Sequence, residues 1–352
     1  DKRADTANLN SCWQYGLSGN GDIYARRFNP TTGSTIGSEV AIRTSSKDAQ
    51  YPRVYWWDDN DEYVVAWQEV SPLATTAGNF LATCYDIYAQ RLTSTASLTG
   101  TMTTISNGPD CQWVPQIALQ PGQDKLLLSW HDHRNRTGNT GGLGTEKDIY
   151  GQWLNPDGTL SGSNFPISIS APGTPAPRYQ EYSALVGTGL VGTGVMAFYA
   201  DDRTGSGTPV ASDIYAGFVP APGTPMPTPF LVAGGSGSQD EPQADLLSAS
   251  GQAWVVWNQL QNPPPTPDPG IVDIEARRYN LAGTPVAGEF VVANNVGTAP
   301  YPQVGCAQAG CTVVWGNGAG TWARRYDAGG NQQGPAHQLG TSYTPFTWIS
   351  SV

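Results

Sequence analysis

Lysine is scarce in this sequence: four residues among 352, against fourteen arginines, with a net charge of −11. A chain this acidic, with no cluster of basic residues, suits neither nucleic acid nor an anionic membrane surface, both of which are bound by grouped Lys and Arg. The acidity is read as a device for solubility. No apolar run reaches the ~18 residues of a transmembrane helix. No window of helical length keeps apolar residues at i, i+3, i+4 and i+7 without a Gly or Pro inside it. Without helices there is no setting for a Ser nucleophile elbow, a phosphate loop or a dinucleotide fingerprint, each of which needs a strand feeding a helix. Asp1 is not a translation start, so the chain is expected to be processed, and no leader is visible in it.

What the chain has instead is punctuation and repetition. Gly and Pro number 42 and 28 and are spread throughout, which points to many short strands joined by turns. One phrase returns along the whole length: Asp22-Ile23-Tyr24-Ala25-Arg26-Arg27, Asp86-Ile87-Tyr88-Ala89-Gln90-Arg91, Asp148-Ile149-Tyr150-Gly151-Gln152-Trp153, Asp213-Ile214-Tyr215-Ala216-Gly217-Phe218 and Asp273-Ile274-Glu275-Ala276-Arg277-Arg278. A degenerate sixth copy reads Thr321-Trp322-Ala323-Arg324-Arg325-Tyr326. Repetition at such a period decides the architecture before any local motif does. Each unit carries four short apolar runs, and the second of them (Tyr63 to Trp67, Leu126 to Trp130, Val195 to Tyr199, Ala253 to Trp257, Cys311 to Trp315) is nearly continuous in apolarity. Such strands are covered on both faces, as in a propeller blade sandwiched between its neighbours.

The expected fold is therefore an all-β, six-bladed β-propeller in one domain. The blades are expected at 10–42 with 343–352, 51–105, 113–169, 179–233, 242–292 and 302–340. Asn10 to Tyr15 matches a second strand and Thr344 to Ile349 a first strand, so the two termini are expected to close the ring in a shared blade and leave no open edge. The long connections Glu69 to Tyr85, His131 to Lys147, Ala200 to Ser212 and Asn258 to Val272 would share the binding face.

The stretches Trp130-His131-Asp132-His133-Arg134 with Asp148-Ile149-Tyr150, and Tyr199-Ala200-Asp201-Asp202-Arg203 with Asp213-Ile214-Tyr215, carry a Trp-x-Asp-x-Arg…Asp-Ile-Tyr pattern. It resembles the TolB-like and sialidase-like blades of secreted and cell-surface bacterial proteins. The resemblance implies blades, and a protein or glycan ligand, rather than a reaction. The sialidase aspartate box is missing from every third-to-fourth strand turn, Asn155 to Thr159 being the nearest approach, so sialidase activity is not carried over.

Five cysteines bear on compartment. Cys306 and Cys311 flank a turn and Cys84 and Cys111 lie in loops beside repeat strands, so each pair is expected to form a disulfide, leaving Cys12 over. Disulfides imply an extracytoplasmic setting. The repeated Asp of Asp-Ile-Tyr reads as a turn-capping group. His131 and His133 point the same way on an extended segment and are candidate metal ligands with Glu146 or Asp148, against a plain loop reading in which Asp132 fills the repeat's Asp slot. Asp201 with Asp202, and the run Asp58 to Glu62, are acidic turns that would suit calcium if any ion; no other cofactor is implied.

The candidate ligand site lies where each innermost strand begins: Tyr51, Trp113, Tyr179, Gln180, Asp240, Glu241, Tyr301 and Tyr343. Aromatic rings beside amides and carboxylates suit a sugar, whose C–H faces stack while its hydroxyls bond; the alternative is packing between blades. Asp240 and Glu241 are adjacent on a strand and point apart, so they do not form the carboxylate pair of a glycosidase by themselves. The expectation is a non-catalytic, extracytoplasmic binding or surface-assembly module for glycan or protein, with adhesion among its roles. The alternatives are a propeller hydrolase or lyase acting on polysaccharide, and a structural subunit of a larger surface assembly.

Overall fold

The computed structural model describes residues 21–29, 31–71, 84–120, 122–135, 147–168, 180–188, 194–202, 212–220, 227–235, 237–260, 272–297 and 300–341. Their strands group in chain order. β1 (Ile23–Phe28) and β2 (Thr35–Arg43) pair alone. Five four-stranded antiparallel sheets follow. The first contains β3 (Ala49–Trp57), β4 (Glu62–Val70), β5 (Tyr85–Thr93) and β6 (Leu98–Ser106). The second contains β7 (Gln112–Gln120), β8 (Lys125–Asp132), β9 (Asp148–Leu154) and β10 (Leu160–Ser168). The third contains β11 (Gln180–Gly187), β12 (Val195–Asp201), β13 (Asp213–Val219) and β14 (Phe230–Ala233). The fourth contains β15 (Ser238–Leu247), β16 (Gln252–Leu260), β17 (Val272–Asn280) and β18 (Phe290–Ala293), and the fifth β19 (Gln303–Ala307), β20 (Gly310–Asn317), β21 (Gly320–Asp327) and β22 (His337–Gly340).

The chain is an all-β propeller, but the count of six blades is corrected. Five sheets have four strands and the first has two, because among the described residues only an outer hairpin precedes β3. The strands expected at Asn10 to Tyr15 and Thr344 to Ile349 lie outside the described residues.

The apolar second strands are buried on both faces. Trp67, Trp130, Phe198, Tyr199, Trp254 and Trp257 are almost fully covered, and each hydrophobic cluster joins one sheet to the next. Each such side chain stabilises the stack by roughly 1.5–3 kcal/mol through burial, so the blades hold one another rather than standing alone. β3, β7, β11, β15 and β19 are the edge strands that pack one on the next, and so line the axis. Their convergence is felt chemically: burial raises the Tyr55 phenol of β3, and Asp245 of β15 raises it further from another blade.

Two disulfides are present, Cys84–Cys111 with Cα atoms 4.5 Å apart and Cys306–Cys311 with Cα atoms 4.1 Å apart. The first ties the loop before β5 to the entry of β7. The second crosses the hairpin of β19 and β20, where the two cysteines are direct partners in register. No helix among the described residues is long and apolar enough to cross a membrane.

Candidate functional site

The inner strands share a local defect. The residue before the proline that follows each strand's entry sits in the left-handed region: Tyr51 at φ 52°, Val114 at 55°, Glu241 at 52° and Tyr301 at 44°. Three of these strands slip register there, between Gln50 and Arg53, Trp113 and Gln116, and Asp240 and Gln243, and β11 slips between Glu181 and Ala184. This is a β-bulge, which bends a strand and re-aims a side chain. A β-branched residue such as Val114 rarely adopts positive φ, and each such position costs on the order of 1–3 kcal/mol. Four repeats of that cost gather at one end of the ring, the mouth, which makes it the candidate site.

The mouth collects most of the residues expected from sequence. Tyr51, Trp113, Asp240 and Tyr301 are half-buried there, with Gln50 and Val114 beside them. Glu241 is buried, and its Oε2 accepts a 2.7 Å hydrogen bond from Asn258 Nδ2. The β11 position differs from expectation. Glu181 pairs with Ala200, so Glu181 and Tyr182 occupy the register of Asp240 and Glu241, and Gln180 stands one residue earlier, opposite Asp201. Buried Gln180 therefore aligns with Gln112 and Gln239 as a ring of buried amides beneath the mouth rather than with the bulges. Tyr179 and Tyr343 lie outside the described residues.

Sequence reasoning passed over three residues here. Asp48 is buried just ahead of β3, where its Oδ1 accepts the Gly21 amide at 2.8 Å. Tyr85 is raised well above a normal phenol by burial and then by Asp48 and Tyr51, which places the three groups together. Arg53, two residues past the Tyr51 bulge, is fully buried, and desolvation lowers its pKa to about 10. The signal for Asp48 was its place: an acid three residues ahead of the Tyr-Pro step.

The Trp-x-Asp-x-Arg phrase proves to be a clasp. Asp132 accepts from Trp130 Nε1 at 2.7 Å and from Arg134 Nε and Nη2 at 2.8 and 2.6 Å. Arg134 lies 4.2 Å over the Tyr150 ring, and Asn135 Nδ2 bridges Asp148 at 2.7 Å and the Tyr150 hydroxyl at 2.8 Å. The corresponding Glu69 is held bidentately by Arg43 at 2.6 and 2.7 Å. With their carboxylates used in this way, these acids support the blade.

His131 and His133 are buried, and burial, followed by Lys147 and His133, holds the His131 imidazole neutral far below its ordinary pKa. His133 packs edge-on to Trp113 at 5.1 Å, and Lys147 Nζ stands 6.0 Å from the same ring. Glu146 lies outside the described residues, Asp148 is taken by Asn135, and Asp201 pairs with Gln180 and Asp213 in another blade. Among the described residues, the sole group with metal-ligand spacing is Cys84, Asp110 and Cys111, and its sulfurs form a disulfide. The acidic turn is likewise engaged: Glu62 pairs with Arg91 at 2.7 Å and Asp61 accepts from Ser94 at 2.9 Å.

No family model matches the chain, and no curated protein matches it. Solved structures do. An α-L-arabinanase from Penicillium chrysogenum, complexed with arabinobiose, is 14% identical with a TM-score of 0.51, covering 81% of this chain and 80% of that one. An α-L-arabinofuranosidase from Fusarium graminearum, in complex with an iminosugar inhibitor, is 12% identical with a TM-score of 0.51 and the same coverage of 81% and 80%. A Hadza microbial sialidase is 9% identical, with a TM-score of 0.45, covering 80% of this chain and 57% of that one. The likeness to the arabinanase and the arabinofuranosidase shows a shared β-propeller fold.

Proposed function

We propose that this chain is a glycan-acting enzyme, a polysaccharide hydrolase working at the mouth of the inner strands. This replaces the expectation of a non-catalytic binding or assembly module. The structures that share its fold at a TM-score of 0.51 are named as an arabinanase and an arabinofuranosidase, which favours the hydrolase alternative. The observation that carries the reading is the set of strained bulges that present Tyr51, Glu241 and Tyr301, with Trp113 and Asp240 next to them, at one end of the ring. Strain of this kind gathers at sites that need pre-organised groups.

The division of labour follows from environment. Tyr51, Trp113 and Tyr301 supply faces for sugar rings. Glu241, covered from solvent and fixed by Asn258, is suited to pass a proton to a leaving oxygen. Asp240 stands beside Glu241 at the same bulge, where the alternation of a regular strand is broken, and another blade offers a further carboxylate, Asp48, the buried acid nearest the Tyr51 bulge in sequence. With two disulfides present, the setting is extracytoplasmic, and the ligand a glycan.

The test is release of reducing ends from soluble arabinan, mannan and glucan by the purified chain, beside Glu241→Gln and Asp48→Asn. Loss of a proton-transfer group should lower turnover by about 10²–10⁴-fold. Hydrolysis at wild-type rate in both variants, or none by the parent on any of the three, would overturn the reading.

A further inference from the structure

The last sheet departs from the others in a way that opens a second cleft. In the sheets of β3, β7, β11 and β15, the second and third strands are joined by long connections (residues 71–84, 133–147, 202–212 and 261–271). In the last sheet Asn317 pairs directly with Gly320, and only Gly318 and Ala319 lie between β20 and β21. Gly320 is required by that tight turn: at φ 139° a Cβ there would lie 2.0 Å from the Gly340 carbonyl oxygen. Gly320 stands where the other copies of the repeat have their Asp.

With that wall missing, a cleft of about 300 Å³ stands between β18 and the last sheet. Trp315, Trp322, Asn317, Arg324, Asn294 and Asn295 line it. Trp322 replaces the Tyr of the Asp-Ile-Tyr phrase and is half-buried. Its indole Nε1 donates to Asn317 Oδ1 at 3.1 Å, and the Ala319 amide donates to the same oxygen at 2.9 Å. The ring is therefore locked and the Asn317 Nδ2 donors are turned to other use. Arg324 Nη1 donates to the Val292 carbonyl, while its Nε is buried with no hydrogen-bond partner among the described residues. Arg277, at the same place in the preceding sheet, has its Nε in the same condition, so Arg324 serves here to brace the wall of the cleft against β18. The cleft opens on the same side as the mouth, since the Gly316 amide, next to Trp315, donates to the Pro300 carbonyl beside Tyr301 at 2.9 Å.

We infer that this cleft is a distal sugar subsite, which takes one uncharged pyranose or furanose unit of a polysaccharide against Trp322, a hydroxyl accepting from Asn317 Nδ2. The inference rests on the glycan reading of the mouth but stands on different residues. A fixed indole beside the side-chain amides of Asn317, Asn294 and Asn295, with no carboxylate among the lining side chains, matches a neutral ring bearing hydroxyls.

Affinity electrophoresis through gels containing soluble arabinan, mannan or glucan tests it. The parent chain is expected to be retarded by at least one polymer, and Trp322→Ala to weaken that retardation about five- to tenfold, the scale of one lost ring stack. Trp322→Phe keeps most of the retardation. Asn317→Asp retains the acceptor for Trp322 and Ala319, removes the Nδ2 donors, and weakens retardation even if Trp322→Ala does not fold. Equal retardation of the parent and Asn317→Asp, or no retardation by any polymer, overturns the subsite. Hydrolysis without retardation would sink the cleft and leave the mouth standing. Retardation that depends on Trp322, from a chain that releases no reducing ends, would do the reverse.

Discussion

Three of the blade interfaces solve one problem in two ways. Where β17 and β21 pack on the preceding sheet, Arg277 and Arg324 occupy the same place in the repeat and reach back to an outer-strand carbonyl, Val232 at 2.8 Å in the first case and Val292 in the second. Where β9 packs on its neighbour, that place holds Gln152, which is too short. Its Oε1 instead accepts from Asn164 Nδ2 at 2.8 Å, and Asn164 donates on to the Ile105 carbonyl at 3.1 Å. Ile105, Val232 and Val292 are the same position of the blade, one residue before the partner of the repeat's Ile or, for Ile105, of Ile87. The invariant is the carbonyl, because a buried acceptor left unpaired costs roughly 1–3 kcal/mol. One long cation or two short amides will serve.

The largest effect should come from removing the single-residue solution. Arg277→Ala leaves the Val232 carbonyl to Tyr279 at 3.5 Å alone and should cost about 2–3 kcal/mol in urea unfolding. Asn164→Ala breaks the amide relay, and with it the bonds that Asn164 Oδ1 accepts from Ser106 Oγ at 3.0 Å and Arg134 Nη2 at 3.2 Å, and should cost about 1–2 kcal/mol. Adding Gln152→Arg to it should recover at least half of that loss if the two solutions are interchangeable; no recovery would show that each interface is tuned to its own donor.

Next is a difference of pH. His131 of β8 stands where β16 has Asn258, opposite the bulge in both sheets. The unfolded imidazole takes a proton near pH 6.5, whereas the buried native one stays neutral until well below that. Stability from His131 is therefore full above the unfolded value and is lost as pH falls, by at most about 1.4 kcal/mol per pH unit. His131→Asn should flatten the melting temperature between pH 7 and pH 5; an unchanged slope would assign the acid sensitivity elsewhere. The smallest effect is expected for Glu289→Ala. Its 3.2 Å pair with Arg277 is partly exposed at 23% and 40% and should contribute no more than about 0.5 kcal/mol. A cost matching that of Arg277→Ala would mean that charge, not the carbonyl, governs this interface.

The blades were legible because their signal is redundant. Asp-Ile-Tyr marks β5, β9 and β13, and the Trp-terminated apolar runs mark the strands beside them. The Cys306–Cys311 pair followed from a hairpin, and Cys84–Cys111 from two loops lying beside repeat strands. The mouth was only half legible. A proline after Tyr51, Val114, Glu241 and Tyr301 argues for extended backbone at those residues, and the structure places all four at positive φ; tertiary packing overrides the local preference. In β11 no proline follows the bulge, so the register was read two residues early, at Tyr179 and Gln180. The number of blades was over-read because two terminal fragments were joined by pattern alone.

The bulges carry one more consequence. Tyr, Val, Glu and Tyr occupy equivalent sites, and the backbone takes the same turn under each of them. The turn is set by the scaffold whatever the side chain, so the group presented at the mouth differs from blade to blade, at a strain cost that still depends on the residue and is highest for β-branched Val114. The ring behaves as a set of interchangeable sockets, in which an acid, a ring or an aliphatic group can be exchanged at the mouth while the blades below stay as they are.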